Sequence, residues 1–249
     1  MMNWQRVTPQ FLASVTSVDE ANIAVSGGAG IIDCKDPGRG ALGALGVDVV
    51  RDIRAAVPRD IPISATIGDL PAEAAAWSGP VLEMAATGVE YIKIGIFPGL
   101  DARAAIEAIG RLSLGRARLV GVLLADRDPD FALVDALADA GFAGVMVDTA
   151  RKSGQALLDV ASVGTLGEFV ENARLQGLFV GLAGSLRVEH IQALAELDPD
   201  LLGFRGALCG GHDRRGRLDA ARVGAVRDAL FAARAAKLLV APSLDPTSA

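Results

Sequence analysis

Eight short apolar runs, each followed by a stretch with helical spacing, constrain this chain more than any other feature. The runs are Phe11–Val15, Ile31–Lys35, Ile61–Thr66, Tyr91–Ile96, Arg118–Leu123, Gly144–Asp148, Leu178–Leu182 and Leu201–Arg205. Each is rich in Val, Ile and Leu and apolar on both faces, as a strand covered on both sides must be. Between and after them, apolar residues recur at i, i+3 and i+4. The stretches are Val18–Gly27, Asp48–Val57, Val81–Thr87, Asp101–Leu112, Asp130–Ala140, Leu166–Gln176, Arg187–Leu197 and Asp219–Leu238. Asp128–Pro129 reads as a helix start, and Gly28, Gly88, Gly141 and Gly177 stand where helices should end.

Strand alternating with helix eight times predicts a single (β/α)₈ TIM barrel. A doubly wound sheet is the runner-up, but it usually carries a Gly-rich turn after its first strand, and here VTSVDE follows. The 249 residues suit one barrel domain spanning 1–249, with 1–9 and 242–249 peripheral. A net charge of −6 argues against nucleic acid as a partner, because phosphate backbones need a basic surface. No apolar run approaches the ~20 residues of a membrane span. The opening MMNWQRVTPQ has no signal-peptide core, so a cytosolic protein is expected. Cys34 and Cys209 are too few for a disulfide framework and show no metal-ligand spacing, so no metal is expected.

In such barrels function gathers at the C-terminal ends of the strands. There, GIIDCKDP places Asp33 and Lys35 two residues apart, hence on one face of the second strand. The third strand offers Ser64 and Thr66 and then Asp69 as further lining residues. In YIKIGIF, isoleucines 92, 94 and 96 should face the helices, which turns Tyr91, Lys93 and Gly95 inward. The sixth strand ends in Asp148, with Lys152 four residues on. Of 24 basic residues only Lys35, Lys93, Lys152 and Lys237 are lysines, and three of these fall at the same barrel end. A lone lysine near a strand end is commonly solvated or ion-paired. Apolar neighbours weaken that reading for Lys93, and Asp33 weakens it for Lys35; Lys152, beside Arg151, keeps it as a live alternative. An arginine could serve binding, but only an amine can become a neutral nucleophile. Clustered cations depress one another's pKa, so one lysine should be free to form a Schiff base, while Asp33 or Asp148 moves protons at the adjacent carbon.

The loops after strands 7 and 8 of a barrel often hold a phosphate on backbone N–H groups and a helix N-terminus. In GLAGSL and GFRGALCGG, Gly184, Ser185 and Gly206 would let the backbone approach a phosphate, and Arg205 could pair with it. Ordinary turn glycines are the alternative, but Gly-Ser and Arg-Gly in the two expected loops favour the phosphate reading. His190 falls on an expected helix and reads as structural. His212 could line the mouth or be solvated, and the arginines of DRRGR read as a solvated loop.

Taken in order, IIDCKDP…GALGA, SATIGDLP, YIKIGIF, MVDTARKSG, GLAGSL and GFRGALC resemble the (5-formylfuran-3-yl)methyl phosphate synthase family. These are the furan-forming enzymes of methanofuran biosynthesis in methanogens, with relatives in methylotrophic bacteria. The resemblance spans essentially the whole chain. It implies a lyase that condenses two molecules of glyceraldehyde 3-phosphate, with loss of phosphate and water, through a lysine Schiff base and without metal or organic cofactor. It also implies that the lysine of the DxK motif, Lys35, is the nucleophile with Asp33 as its acid partner, and that Lys93, Asp148 and Lys152 match the remaining catalytic positions. The motif here reads DCK where relatives often have an aliphatic middle residue. Cys34 should face the helices, so the departure leaves the site intact. A small phosphorylated aldehyde is then the partner, and an Ala-rich, Gly-rich barrel with few surface lysines would allow a homo-oligomer. An ordinary class I aldolase and a non-catalytic sugar-phosphate-binding barrel are the alternatives.

Overall fold

A computed structural model describes residues 9–99, 102–150 and 155–240. Among them, eight strands close into a parallel barrel in chain order: β1 Gln10–Val15, β2 Ile31–Cys34, β3 Ile63–Thr66, β4 Tyr91–Ile96, β5 Arg118–Leu124, β6 Gly144–Asp148, β7 Phe179–Leu182 and β8 Leu201–Phe204. Closure of β8 onto β1 pairs Phe11 with Leu202 and excludes the open doubly wound sheet. The helices are α1 Val18–Ser26, α2 Val47–Ala56, α3 Ala74–Ala85, α4 Ala102–Gly110, α5 Leu133–Asp139, α6 Leu157–Val160, α7 Val163–Leu175, α8 Ile191–Glu196 and α9 Ala220–Val240. Residues 1–8 and 241–249, which the sequence places at the periphery, lie outside the described residues, as does Lys152.

The pleat sorts the side chains into two cores. Outward-facing residues such as Cys34, Ile92, Ile94 and Ile96 pack under the helices. Leu12, Ile31, Tyr91, Val120, Met146 and Leu201 fill the barrel itself. Each fully buried Ile or Leu contributes about 1.5–3 kcal/mol. Tyr91 meets Phe179 edge-on with ring centroids 5.3 Å apart, and this layer closes the lower barrel. Gly181 leaves room there: a Cβ would fall 2.6 Å from Leu201. The cavity is therefore confined to the upper half, at the strands' C-terminal ends.

Gly28, Gly88, Gly141 and Gly177 adopt positive φ just past α1, α3, α5 and α7, as expected of helix stops. Several helices differ from the sequence pattern, and α6 is absent from it. α3 begins at Ala74 rather than Val81, carrying Pro80 inside it. The fully buried Trp77 anchors the turn before the proline, so packing overrides the missing N–H. Asp128–Pro129 does not open α5. Asp128 is left-handed, and it is the Asp130 carboxylate that accepts the Ala132 amide at 3.0 Å. The stretch after β7 is a 3₁₀ turn, Val188–His190, followed by the short α8. His190 Nδ1 accepts the Arg187 amide at 3.2 Å, a structural role. Among the described residues no helix is long and apolar enough to cross a membrane.

Candidate active site

A cavity of about 230 Å³ opens at the C-terminal mouth of the barrel. At its floor the β2 register sets Asp33 beside Ser14 of β1 and Ser64 of β3. Ser64 Oγ donates to Asp33 Oδ1 at 2.7 Å, and Ser14 Oγ donates to Oδ2 at 2.8 Å. Lys93 Nζ lies 2.6 Å from Oδ1. A carboxylate that is only 1% exposed thus has both oxygens satisfied, as burial of its charge requires. Burial pushes the Lys93 amine below its ordinary pKa, and the neighbouring Lys35 charge adds to the effect. Asp33 and Asp148 pull the other way without restoring it.

Lys35 stands one step beyond the end of β2, and its amine crosses the barrel to Asp148 Oδ2 at 2.8 Å. The other oxygen, Oδ1, accepts the Thr149 amide at 2.7 Å. Asp33 and Lys35 do share a face, yet they are not each other's partner. Asp33 belongs to Lys93, and Lys35 belongs to Asp148. Two lysine–aspartate pairs, both nearly excluded from solvent, therefore line one cavity. Such an arrangement can release one neutral amine while a carboxylate takes up its proton.

Thr66 and Asp69, expected to line the site, brace the loop after β2 instead. Thr66 Oγ1 donates to Gly43 O at 2.9 Å. The Asp69 carboxylate accepts the amides of Ala41 and Leu42 at 2.8 and 2.7 Å. Neither lines the cavity. Neither the strand position of Thr66 nor the turn position of Asp69 gave a hint that the loop between Asp36 and Gly46 would fold back onto them.

Arg205 also departs from expectation. Its guanidinium grips Glu20 of α1 at 2.6 and 3.2 Å and donates further to the carbonyls of Ser14, Arg214 and Gly216. All five of its N–H groups are committed, so none remains for a phosphate. Burial alone would raise the Glu20 pKa. The hydrogen bond and charge of Arg205, with the amide and hydroxyl of Thr16, hold it below the ordinary value. Gly184, Ser185 and Gly206 do line the cavity. Gly184 has φ +115°, and a Cβ there would meet Thr149 Cγ2 at 2.8 Å, so the turn requires glycine.

The family model described as 4-HFC-P synthase matches residues 11–227, from the first strand into the last helix. The chain belongs to the 4-HFC-P synthase family. A Methylorubrum extorquens protein provisionally named (5-formylfuran-3-yl)methyl phosphate synthase is 45% identical over 90% of this chain and 92% of its own length. The Methanopyrus kandleri protein of that name is 39% identical over 83% of this chain and 92% of its own. Among solved structures, phosphoribosyl anthranilate isomerase from Thermus thermophilus superposes with a TM-score of 0.64 over 92% of this chain and 99% of its own. At 18% identity, that likeness shows the shared barrel alone.

In this 4-HFC-P synthase family member three further residues meet the site without a flag in the sequence. Ser14 is a polar residue at an inward position of an apolar run, and its register with Asp33 could have marked it. Glu20 is an acid in the first turn of α1, and its partner lies 185 residues away. Arg214, of the DRRGR segment, lines the cavity rather than standing in solvent. His212 lines it too, with Nε2 3.3 Å from Arg222 Nη1. Among the described residues no group of three or more His, Cys, Asp or Glu is placed to hold a metal.

Proposed function

We propose that this chain is a (5-formylfuran-3-yl)methyl phosphate synthase that condenses two molecules of glyceraldehyde 3-phosphate through a lysine Schiff base, for a methanofuran-type cofactor. The observation that carries this reading is the pair of lysine–aspartate couples facing one cavity, with the Lys93 amine held toward its neutral form. Lys35, the less buried of the two amines, passes a proton to Asp148 and adds to the aldehyde carbon of one triose phosphate. Loss of water gives an iminium, which serves as the electron sink. A base removes the proton from the adjacent carbon, and the resulting enamine expels phosphate from the carbon beyond. Lys93 and Asp33 border that step, and Lys152 is assigned to proton transfer with Asp148. Carbon–carbon bond formation with the second triose, ring closure and dehydration complete the furan. Two triose phosphates, C₃H₇O₆P each, minus one phosphoric acid and two waters leave C₆H₇O₆P, so the balance needs no oxidant or reductant. Backbone amides of Gly184, Ser185 and Gly206 cradle the retained phosphate.

The test is borohydride reduction in the presence of glyceraldehyde 3-phosphate, followed by mass spectrometry of the trapped peptide. An adduct on Lys35, together with phosphate release and furan absorbance, is the expected result. No adduct on any lysine sinks the Schiff-base reading. Reversible cleavage without furan absorbance would make the chain an ordinary class I aldolase, and neither adduct nor product would leave a sugar-phosphate-binding barrel.

A further inference from the structure

The cations of the cavity are unequally compensated. Lys93 faces Asp33 at 2.6 Å, Lys35 faces Asp148 at 2.8 Å, and Arg205 faces Glu20 at 2.6 Å. Arg187, at the rim, reaches Glu189 at 3.7 Å. Arg214 alone among the described cavity arginines and lysines has no carboxylate within ion-pair distance; its hydrogen bond goes to a neutral carbonyl, Gly40 O, at 3.1 Å. Asp148 and Asp69 act on it only through space. Each of the other described cavity lysines and arginines faces a carboxylate, which leaves Arg214 as a half-buried guanidinium with no ion-pair partner among the described residues, beside the Asp213 carboxylate that accepts the Arg215 amide at 3.0 Å.

Its placement is enforced. Arg205 Nε donates to the carbonyl of Arg214 itself at 2.8 Å, and Arg205 Nη2 donates to Gly216 O at 2.8 Å. The Glu20–Arg205 pair thus clamps both ends of the turn that carries Arg214. A Cβ built on Gly206 would lie 4.0 Å from the Arg214 Cβ, which sets the base of the arginine against the loop expected to cradle phosphate. A guanidinium fixed in this way binds an anion with little ordering cost, and its planar fork suits a phosphate monoester.

We propose that Arg214 is the phosphate-binding cation of this site, holding a phosphate monoester of the substrate against the Gly206 and Gly184–Ser185 loops, while Arg205 positions the turn that presents it. The proposal deepens the reading of the substrate as a triose phosphate and rests on it. Inorganic phosphate, titrated into the full chain by calorimetry, is the probe. Loss of a charge-assisted contact should raise Kd by about tenfold or more in Arg214→Gln, with Arg214→Lys falling between it and the wild type. A change below about threefold, or no phosphate binding by the wild type, overturns the proposal. Should Arg214→Gln fail to fold, the native chain answers by arginine modification. Phosphate should protect Arg214 from phenylglyoxal, as mapped by mass spectrometry, and equal modification with and without phosphate overturns the proposal. Unphosphorylated glyceraldehyde separates the two ideas: its borohydride adduct should form equally in the wild type and Arg214→Gln. If no aldehyde traps on the wild type, the Schiff-base reading fails and the phosphate result stands alone.

Discussion

Lys35 and Asp148 meet at 2.8 Å across the barrel mouth, from the end of β2 to the end of β6. The contact gives the proposed nucleophile a proton acceptor 113 residues away in the chain. It also leaves Asp33, two residues from Lys35, wholly engaged with Lys93, Ser14 and Ser64.

Lys35→Ala and Lys35→Arg should both lose the borohydride adduct and reduce phosphate release by about 10³-fold or more, because neither supplies a nucleophilic amine. Their stabilities should differ. The alanine variant removes the Lys35 cation from Asp148, whereas the arginine variant keeps a cation beside it. Thermal unfolding of the two variants, measured beside the activity assay, checks both halves.

Asp33→Asn keeps the shape of the carboxylate but leaves Lys93 facing no charge. Breaking a buried pair from one side costs about 3–5 kcal/mol, or roughly 10 °C in Tm for a chain of this size. An unchanged Tm would mean that the Lys93–Asp33 contact carries no such energy.

Lys93 should also write a pH dependence. Its amine is held below the ordinary 10.5 in the folded chain, so the unfolded chain binds more protons between that lowered value and 10.5. Wild-type stability should therefore rise with pH across this window, relative to the Asp33→Asn/Lys93→Met double variant. Denaturant unfolding at stepped alkaline pH reads the difference, and parallel curves would refute it.

Glu20 acts in the opposite range. Its carboxyl is held below the ordinary 4.5, so its contribution is present above that value and lost as pH falls through the lowered one. Glu20→Gln should be less stable than the wild type at neutral pH, and the gap should narrow in acid. Unfolding curves at stepped pH from neutral downward check it.

Gly184→Ala forces a Cβ to within 2.8 Å of Thr149 and places an L residue at φ +115°. The strain costs about 1–3 kcal/mol. The turn should relax away from the cavity, raising the KM for glyceraldehyde 3-phosphate while the adduct with unphosphorylated glyceraldehyde persists. Steady-state kinetics with both aldehydes distinguishes this from general unfolding.

The strands were legible because a run of four to seven Val-, Ile- and Leu-rich residues, apolar on both faces, is a local property. β4 and β6 carry the expected bounds, and isoleucines 92, 94 and 96 face the helices as the pleat requires. The inward turn of Lys93 followed from the same alternation. Arg205 was misread for a different reason. A strand-end arginine beside a glycine looks like a phosphate ligand, and nothing near it in the chain announces that Glu20 will arrive from α1. Arg214 was passed over because a run of arginines and glycines has no periodicity from which to read a direction.

Period-two and period-3.6 patterns, with glycine at the helix ends, suffice for an eight-fold strand–helix barrel and for which strand ends hold lysines and aspartates. They also suffice for the motif order that marks the 4-HFC-P synthase family. Which carboxylate meets which amine is not local. It depends on the stagger of neighbouring strands and on closure of β8 onto β1, which bring β2 opposite β6 and Glu20 of α1 to Arg205 just past β8. Buried charges then settle on whichever partner compensates them, because an unpaired one is too costly to keep. That selection separated Asp33 from Lys35, gave Lys35 to Asp148, and turned Arg205 from a ligand into the clamp that presents Arg214.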